Sequence, residues 1–193
     1  MTQSPTASKP TIDKINAATE ELAARKQVTR VVKNAASEEV VLTEWTDDLV
    51  RRAAAIDRLE GLAAEQPDEA MRIARLLCVY VKELSREHPA EEVPEDATPD
   101  ELREWAHGLH VKRSDMERAV QSLSRINAQV RERAEGDPPV VIELEHANLQ
   151  AFQLMGLNLQ GANLSEASMQ GAKLLRGLEL EFLTLKDQNL LVH

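Results

Sequence analysis

From Leu144 onward a large apolar residue recurs every five positions: Leu144, Leu149, Leu154, Leu159, Leu164, Met169 and Leu174. After a one-residue slip the spacing resumes at Leu180, Leu185 and Leu190. Two positions before each of these stand Ile142, Ala147, Phe152, Leu157, Ala162, Ala167 and Ala172, then Leu178, Leu183 and Gln188. A period of five fits neither the 3.6 of an α-helix nor the 2 of a strand. An amphipathic helix over 147–175 would also carry Gly156, Gly161 and Gly171, each at a cost of about 1 kcal/mol. A stacked geometry with one large and one small inward side chain per five residues is the expectation instead.

Two segments, His146-Ala147-Asn148-Leu149-Gln150 and Gly161-Ala162-Asn163-Leu164-Ser165, resemble the Ala-(Asp/Asn)-Leu-x-x unit of the pentapeptide-repeat family. The resemblance implies that each unit forms one side of a short, right-handed, quadrilateral β-helix, four units to a coil. It also implies an inward core of Leu144, Leu149, Leu154, Leu159, Leu164, Met169 and Leu174 with Ala147, Ala162, Ala167 and Ala172. Each inward Leu would contribute about 1.5–3 kcal/mol by burial. Twenty residues per coil would set Gln150 under Gln170, a ladder that stacked coils tolerate. Phe152, Leu157, Leu178 and Leu183 are bulky where the family prefers Ala. Ten units make about two and a half coils, a rise of about 12 Å.

The preceding chain carries helix signals. Thr98-Pro99-Asp100-Glu101 and Ser114-Asp115-Met116-Glu117 are capping boxes, and Thr46 before two Asp and Pro67-Asp68-Glu69 are further starts. Leu49, Ala53, Ile56, Leu59 and Ala63 form one apolar stripe. Ile73, Leu77, Tyr80, Val81 and Leu84 form another, and Met116, Val120, Leu123, Ile126 and Val130 a third. Ile12 to Val32 is expected as a further helix with a basic face of Arg25, Lys26, Arg30 and Lys33. The expected fold is therefore α+β: an all-helical N-terminal region, a bundle or HEAT-like stack, followed by the β-helix. The expected division is a flexible tail over 1–11, a helical domain over 12–136, a linker over 137–139 and the repeat over 140–193.

Segments 52–60, 77–83 and 113–120 resemble the helical region that precedes the repeats in a group of bacterial, largely proteobacterial, pentapeptide-repeat proteins. Many of that group begin with membrane-spanning helices. Here no stretch approaches the ~20 apolar residues of a membrane span, and Met1 to Pro10 lacks the apolar core of a signal peptide. With Cys78 as the one cysteine, a cytoplasmic location is expected.

A net charge of −10 argues against direct binding to nucleic-acid phosphates or to an anionic membrane. His107 and His110 stand at i, i+3, but two ligands do not make a zinc site. Cys78 sits on an apolar stripe, where a thiol is core rather than nucleophile. Glu91-Glu92 and Glu95-Asp96 lie in an acidic stretch, eight acids against Arg103 between Glu87 and Glu104. That stretch reads as a solvated connector or as a docking surface for a basic partner. No catalytic residue, metal or cofactor is expected. The functional expectation is a non-enzymatic protein–protein interaction or scaffold module of unknown partner, with an end-to-end homodimer through Leu185, Leu190, Leu191 and Val192. The resemblance supplies an alternative, since some family members imitate DNA and bind type II topoisomerases. Six acids against three basic residues from 140 onward make a weakly charged mimic.

Overall fold

The computed structural model of the chain describes residues 9–33, 37–133 and 140–173. In chain order these form α1 (Lys9–Glu21), β1 (Arg25–Lys33), β2 (Glu39–Asp47), α2 (Leu49–Glu65), α3 (Ala70–Glu87), α4 (Pro99–Gly108) and α5 (Ser114–Arg133), followed by the repeat. The helices form a bundle in which α2, α3 and α5 pack on one another and α1 lies on α2. Its centre is made by the apolar stripes: Ile15, Ile56, Leu59, Ile73, Leu77, Val81, Val120, Leu123 and Ile126 are all fully buried. Local chemistry sets the starts. Thr98 and Glu101 close a capping box before α4 with Pro99 inside it, and Asp48, rather than Thr46, caps α2 by accepting the Arg51 N–H.

The N-terminal region is not all-helical. The helix expected over Ile12 to Val32 ends at Glu21, and the chain turns into β1 four residues later. β1 and β2 pair antiparallel from Arg25↔Asp47 to Lys33↔Glu39. The reason is compositional: Val28, Thr29, Val31 and Val32 lie opposite Glu44, Thr43, Val41 and Val40, and β-branched side chains fit a pleated surface better than a helix.

The repeat also departs from expectation. Among the described residues no β-helix or solenoid sheet is seen. The sheet there is the open, uncurled β1–β2 pair, and the repeat makes three isolated parallel bridges, Glu143↔Asn163, Asn148↔Ser168 and Gln153↔Lys173. The cause lies in the five-residue period itself. His146, Ala151, Gly156, Gly161, Glu166 and Gly171 all have positive φ. Each is the third residue of a turn closed by an N–H three residues on, from Ala147→Leu144 to Ala172→Met169, the pattern of a type II turn. A turn in every five residues leaves one residue per side free to bridge, too few for a strand. Turns twenty residues apart still stack, and Gln150 donates to Gln170 at 3.0 Å. Leu174, the 137–139 linker and the units carrying Leu185, Leu190, Leu191 and Val192 lie outside the described residues.

The repeat and the bundle share one core, which runs from Ile15 through Ile126 to Val140 and Ala172. Polar contacts dock the repeat on α3 and α5. Ser85 Oγ accepts the Asn148 N–H at 3.0 Å, Ser124 Oγ accepts the Asn158 N–H at 2.6 Å, and buried Asn127 donates to the Asn158 carbonyl at 3.1 Å. At one corner the fit is very close. A Cβ on Gly171 would lie 2.5 Å from the Ala106 carbonyl oxygen, whereas a Cβ on Gly156 would meet nothing within 4 Å. Both glycines have positive φ, which costs an L-residue roughly 1–2 kcal/mol. Gly156→Ala should therefore lose about 1 kcal/mol, and Gly171→Ala a further 1–3 kcal/mol from overpacking. Urea melts of the two variants check this; equal losses would mean that α4 does not press on the repeat.

Candidate interaction arm and its anchor

Residues opposite one another in an antiparallel pair share a face. One face of the hairpin therefore carries Gln27, Thr29 and Val31 beside Trp45, Thr43 and Val41, with Arg25 and Asp47 at the root and Lys33 and Glu39 at the far end. The Thr29 and Thr43 hydroxyls hydrogen-bond at its centre, 3.1 Å apart. The opposite face carries Val28, Val32, Val40 and Leu42 with an Arg30–Glu44 ion pair. No strand residue belongs to the hydrophobic core, and the strands pack chiefly on each other. Val31, Val41 and Trp45 are 60%, 64% and 59% exposed. The hairpin is an arm about 30 Å long at 3.4 Å per residue.

Its root is held by charge. Asp47, the last residue of β2, accepts from Arg52 Nη2 of α2 at 2.6 Å and from Arg113 Nη1 at 2.6 Å. Arg113 also grips Asp115 through Nε at 2.9 Å and Nη2 at 2.6 Å, a bidentate geometry. Asp115 in turn accepts from the Tyr80 hydroxyl of α3 at 2.6 Å and lies 3.8 Å from Arg52 Nη1. Arg52 Nε donates to the Ala24 carbonyl just before β1 at 3.0 Å. Two carboxylates thus face two guanidiniums, and this neutral set, buried but for the half-buried Asp47, ties the root ends of both strands to α2, α3 and α5.

Asp115 is only 1% exposed. Burial pushes its carboxyl up, but hydrogen bonds from Arg113 and Tyr80 and the charges of Arg113 and Arg52 outweigh that, so it is held below its ordinary value of 3.8. Its place in the first turn of α5 adds the favourable end of the helix dipole. The Tyr80 hydroxyl is driven up, first by burial and then by its bond to Asp115.

The other sequence candidates fall elsewhere. Leu144, Leu149, Leu154, Leu159, Leu164 and Met169, with Ala147, Ala162, Ala167 and Ala172, are each no more than 5% exposed. Cys78 is buried in α3, its thiol pushed up to about 11 chiefly by burial. His107 and His110 line an open cleft of about 650 Å³ between α4 and the repeat, with Glu117 and Lys173. Among the described residues no group of three or more His, Cys, Asp or Glu is placed to hold a metal ion. Part of the acidic stretch is used within the chain. The Glu91 backbone N–H and carbonyl bond to the Gln150 side-chain amide at 2.7 and 2.9 Å and the Glu91 carboxylate pairs with Lys112. Glu101 closes the α4 cap, and Asp100 pairs with Arg103. No helix among the described residues is long and apolar enough to cross a membrane.

Sequence reasoning passed over the arm, although two β-branched runs flanking Asn34-Ala35-Ala36-Ser37 are a hairpin signal. The anchor had no such signal, because Asp47 and Arg113 stand 66 positions apart.

Against known proteins, a family model described as pentapeptide repeats matches residues 142–174 in eight copies. The match covers the repeat segment and not the bundle or the arm. No curated protein and no solved structure matches the chain.

Removing one partner of a buried ion pair costs roughly 3–5 kcal/mol, which for a chain of this size lowers Tm by about 6–20 °C. Asp115→Asn should show that loss. Because the folded carboxyl titrates below 3.8, its contribution is complete above about pH 5 and is lost as pH falls through the lowered value. The gap in Tm between parent and variant should be constant from about pH 5 to 8 and should close in stronger acid. Thermal melts from about pH 2 to pH 8 check both; a gap that opens toward acid would contradict the assignment.

Proposed function

We propose that this chain is a non-enzymatic protein–protein interaction module in which the bundle and repeat form a rigid base and the β1–β2 arm is the contact element. The observation that carries the reading is the exposure of Trp45, Val31 and Val41 together on one face of an arm whose root is locked in place. Exposed apolar side chains scattered singly need no explanation, whereas several on one face of a rigid support mark an interaction site. Trp is also the residue most enriched at the energetic centres of interfaces. Two open strand edges add unpaired N–H and C=O groups, which natural proteins cover or blunt.

In this reading the described repeat, residues 140–173, is structural. Its inward Leu and Ala side chains fill its own centre, and its polar sides dock on α3 and α5. A lone, buried Cys78 fits a reducing compartment such as the cytoplasm. A DNA-mimic role draws no support from the described repeat, where Glu145 pairs with Lys82 and Glu166 lies 3.1 Å from His146.

The test compares capture from source-cell extract by the intact chain and by a Val41→Glu, Trp45→Glu variant, with mass spectrometry as the readout. Both substitutions are on the exposed face and should change stability by no more than about 0.5 kcal/mol. The expected result is a set of proteins, or further copies of the chain, retained by the parent and lost by the variant. An unchanged set would overturn the arm as contact element.

A further inference from the structure

We propose that the partner of the arm is a second copy of this chain, with two arms stacked face to face about a twofold axis that runs along them. This rests on the reading of the arm as contact element and names its occupant. Charge in register favours this occupant. On the face that carries Trp45, β1 has Arg25 and Lys33 and no acid, and β2 has Glu39 and Asp47 and no base. A twofold axis along the arm lays β1 of one copy over β2 of the other at the same level. Lys33 then faces the second Glu39, Val31 faces the second Val41, and Thr29 faces the second Thr43. Each apolar or oppositely charged pairing that the hairpin makes within itself is made again between copies. An axis across the arm would instead lay β1 on β1 and set Lys33 over Arg25, like charge on like.

Two further observations fit a stacked pair. A lone two-stranded hairpin is marginal in water, and a second layer about 10 Å away supplies the cover it lacks. At the root Arg25 is already bonded to the Trp45 carbonyl and Asp47 to Arg52 and Arg113, so the cross-pairs that form anew lie at the far end. A face of about 30 by 10 Å on each copy buries on the order of 600 Å² in all, below the ~1,200 Å² of a stable interface. The dimer is therefore weak, with a Kd on the order of tens to hundreds of micromolar.

Sedimentation of the intact chain from about 5 to 500 µM should show reversible dimerisation in that range. Lys33→Glu and Glu39→Lys, each alone, should weaken it about tenfold, because each sets like charges opposite one another at two symmetric places. An equimolar mixture of the two variants should recover most of the parental association, since the Glu at 33 of one chain then faces the Lys at 39 of the other. The pairing inside each arm stays broken in that mixture, so recovery cannot come from a repaired hairpin. A monomer at 500 µM, or a mixture no better than either variant alone, would overturn the second-copy proposal. If the same Val41→Glu, Trp45→Glu variant still lost a captured protein of another kind, the arm would remain the contact element with a different occupant.

Discussion

Four charges at the root of the arm, Asp47, Arg52, Arg113 and Asp115, set how the hairpin stands on the helices. A hairpin with neither face in the core has little but its two ends to fix its direction. The end of β2 is held by Arg52 and Arg113, and the connection from α1 into β1 is held by Arg52 Nε and the Asp48 N–H, which both donate to the Ala24 carbonyl. Guanidinium suits this task because its planar fork meets a carboxylate through two bonds at once. Such a set is poor evidence of net stability, since hydrophobic replacements of buried ion pairs are often as stable. Its value here is directional: the bonds fail if the arm rotates about its root.

The bundle contributes through the same residues. Arg52 belongs to α2, Tyr80 to α3 and Asp115 to α5, so the apolar packing of Ile56, Leu77 and Leu123 sets the spacing at which the charges meet. The repeat braces the bundle as well. Asn148, Asn158 and Gln150 bond to α3, α5 and the α3–α4 connection, and Gly171 allows its corner to reach the Ala106 carbonyl. His88 links the two regions directly. Its Nε2 lies 3.0 Å from Arg113 Nη1, and its carbonyl accepts from Asn148 at 2.9 Å.

Much of this was legible in the residues. The Thr98 capping box, the start of α5 at Ser114 and the stripes of α2, α3 and α5 are local signals, and local geometry honoured them. The five-residue period was legible too, but it specified corners rather than strands. Positive φ at His146, Ala151 and Glu166 as well as at the glycines shows that each corner recurs whatever residue occupies it, and a side so short cannot become a ladder. The arm was misjudged because a basic, Val-rich segment shows apolar residues at helical as well as strand spacing; the cross-strand partners decided it. The anchor was illegible because nothing near Asp47 in sequence announces Arg113.

The most direct measurement is amide hydrogen exchange, followed by mass spectrometry, on the intact chain and on Asp47→Asn. Slow exchange is expected for the alternate half of the amides over residues 25–33 and 39–47 that bond across the pair in the intact chain, despite their exposed side chains, while the half that faces the open edges exchanges fast. In Asp47→Asn that protection should fall in the arm while α2, α3 and α5 keep theirs. Free exchange over 25–33 and 39–47 in the intact chain, or an arm indifferent to Asp47, would contradict a hairpin held by charge at its root.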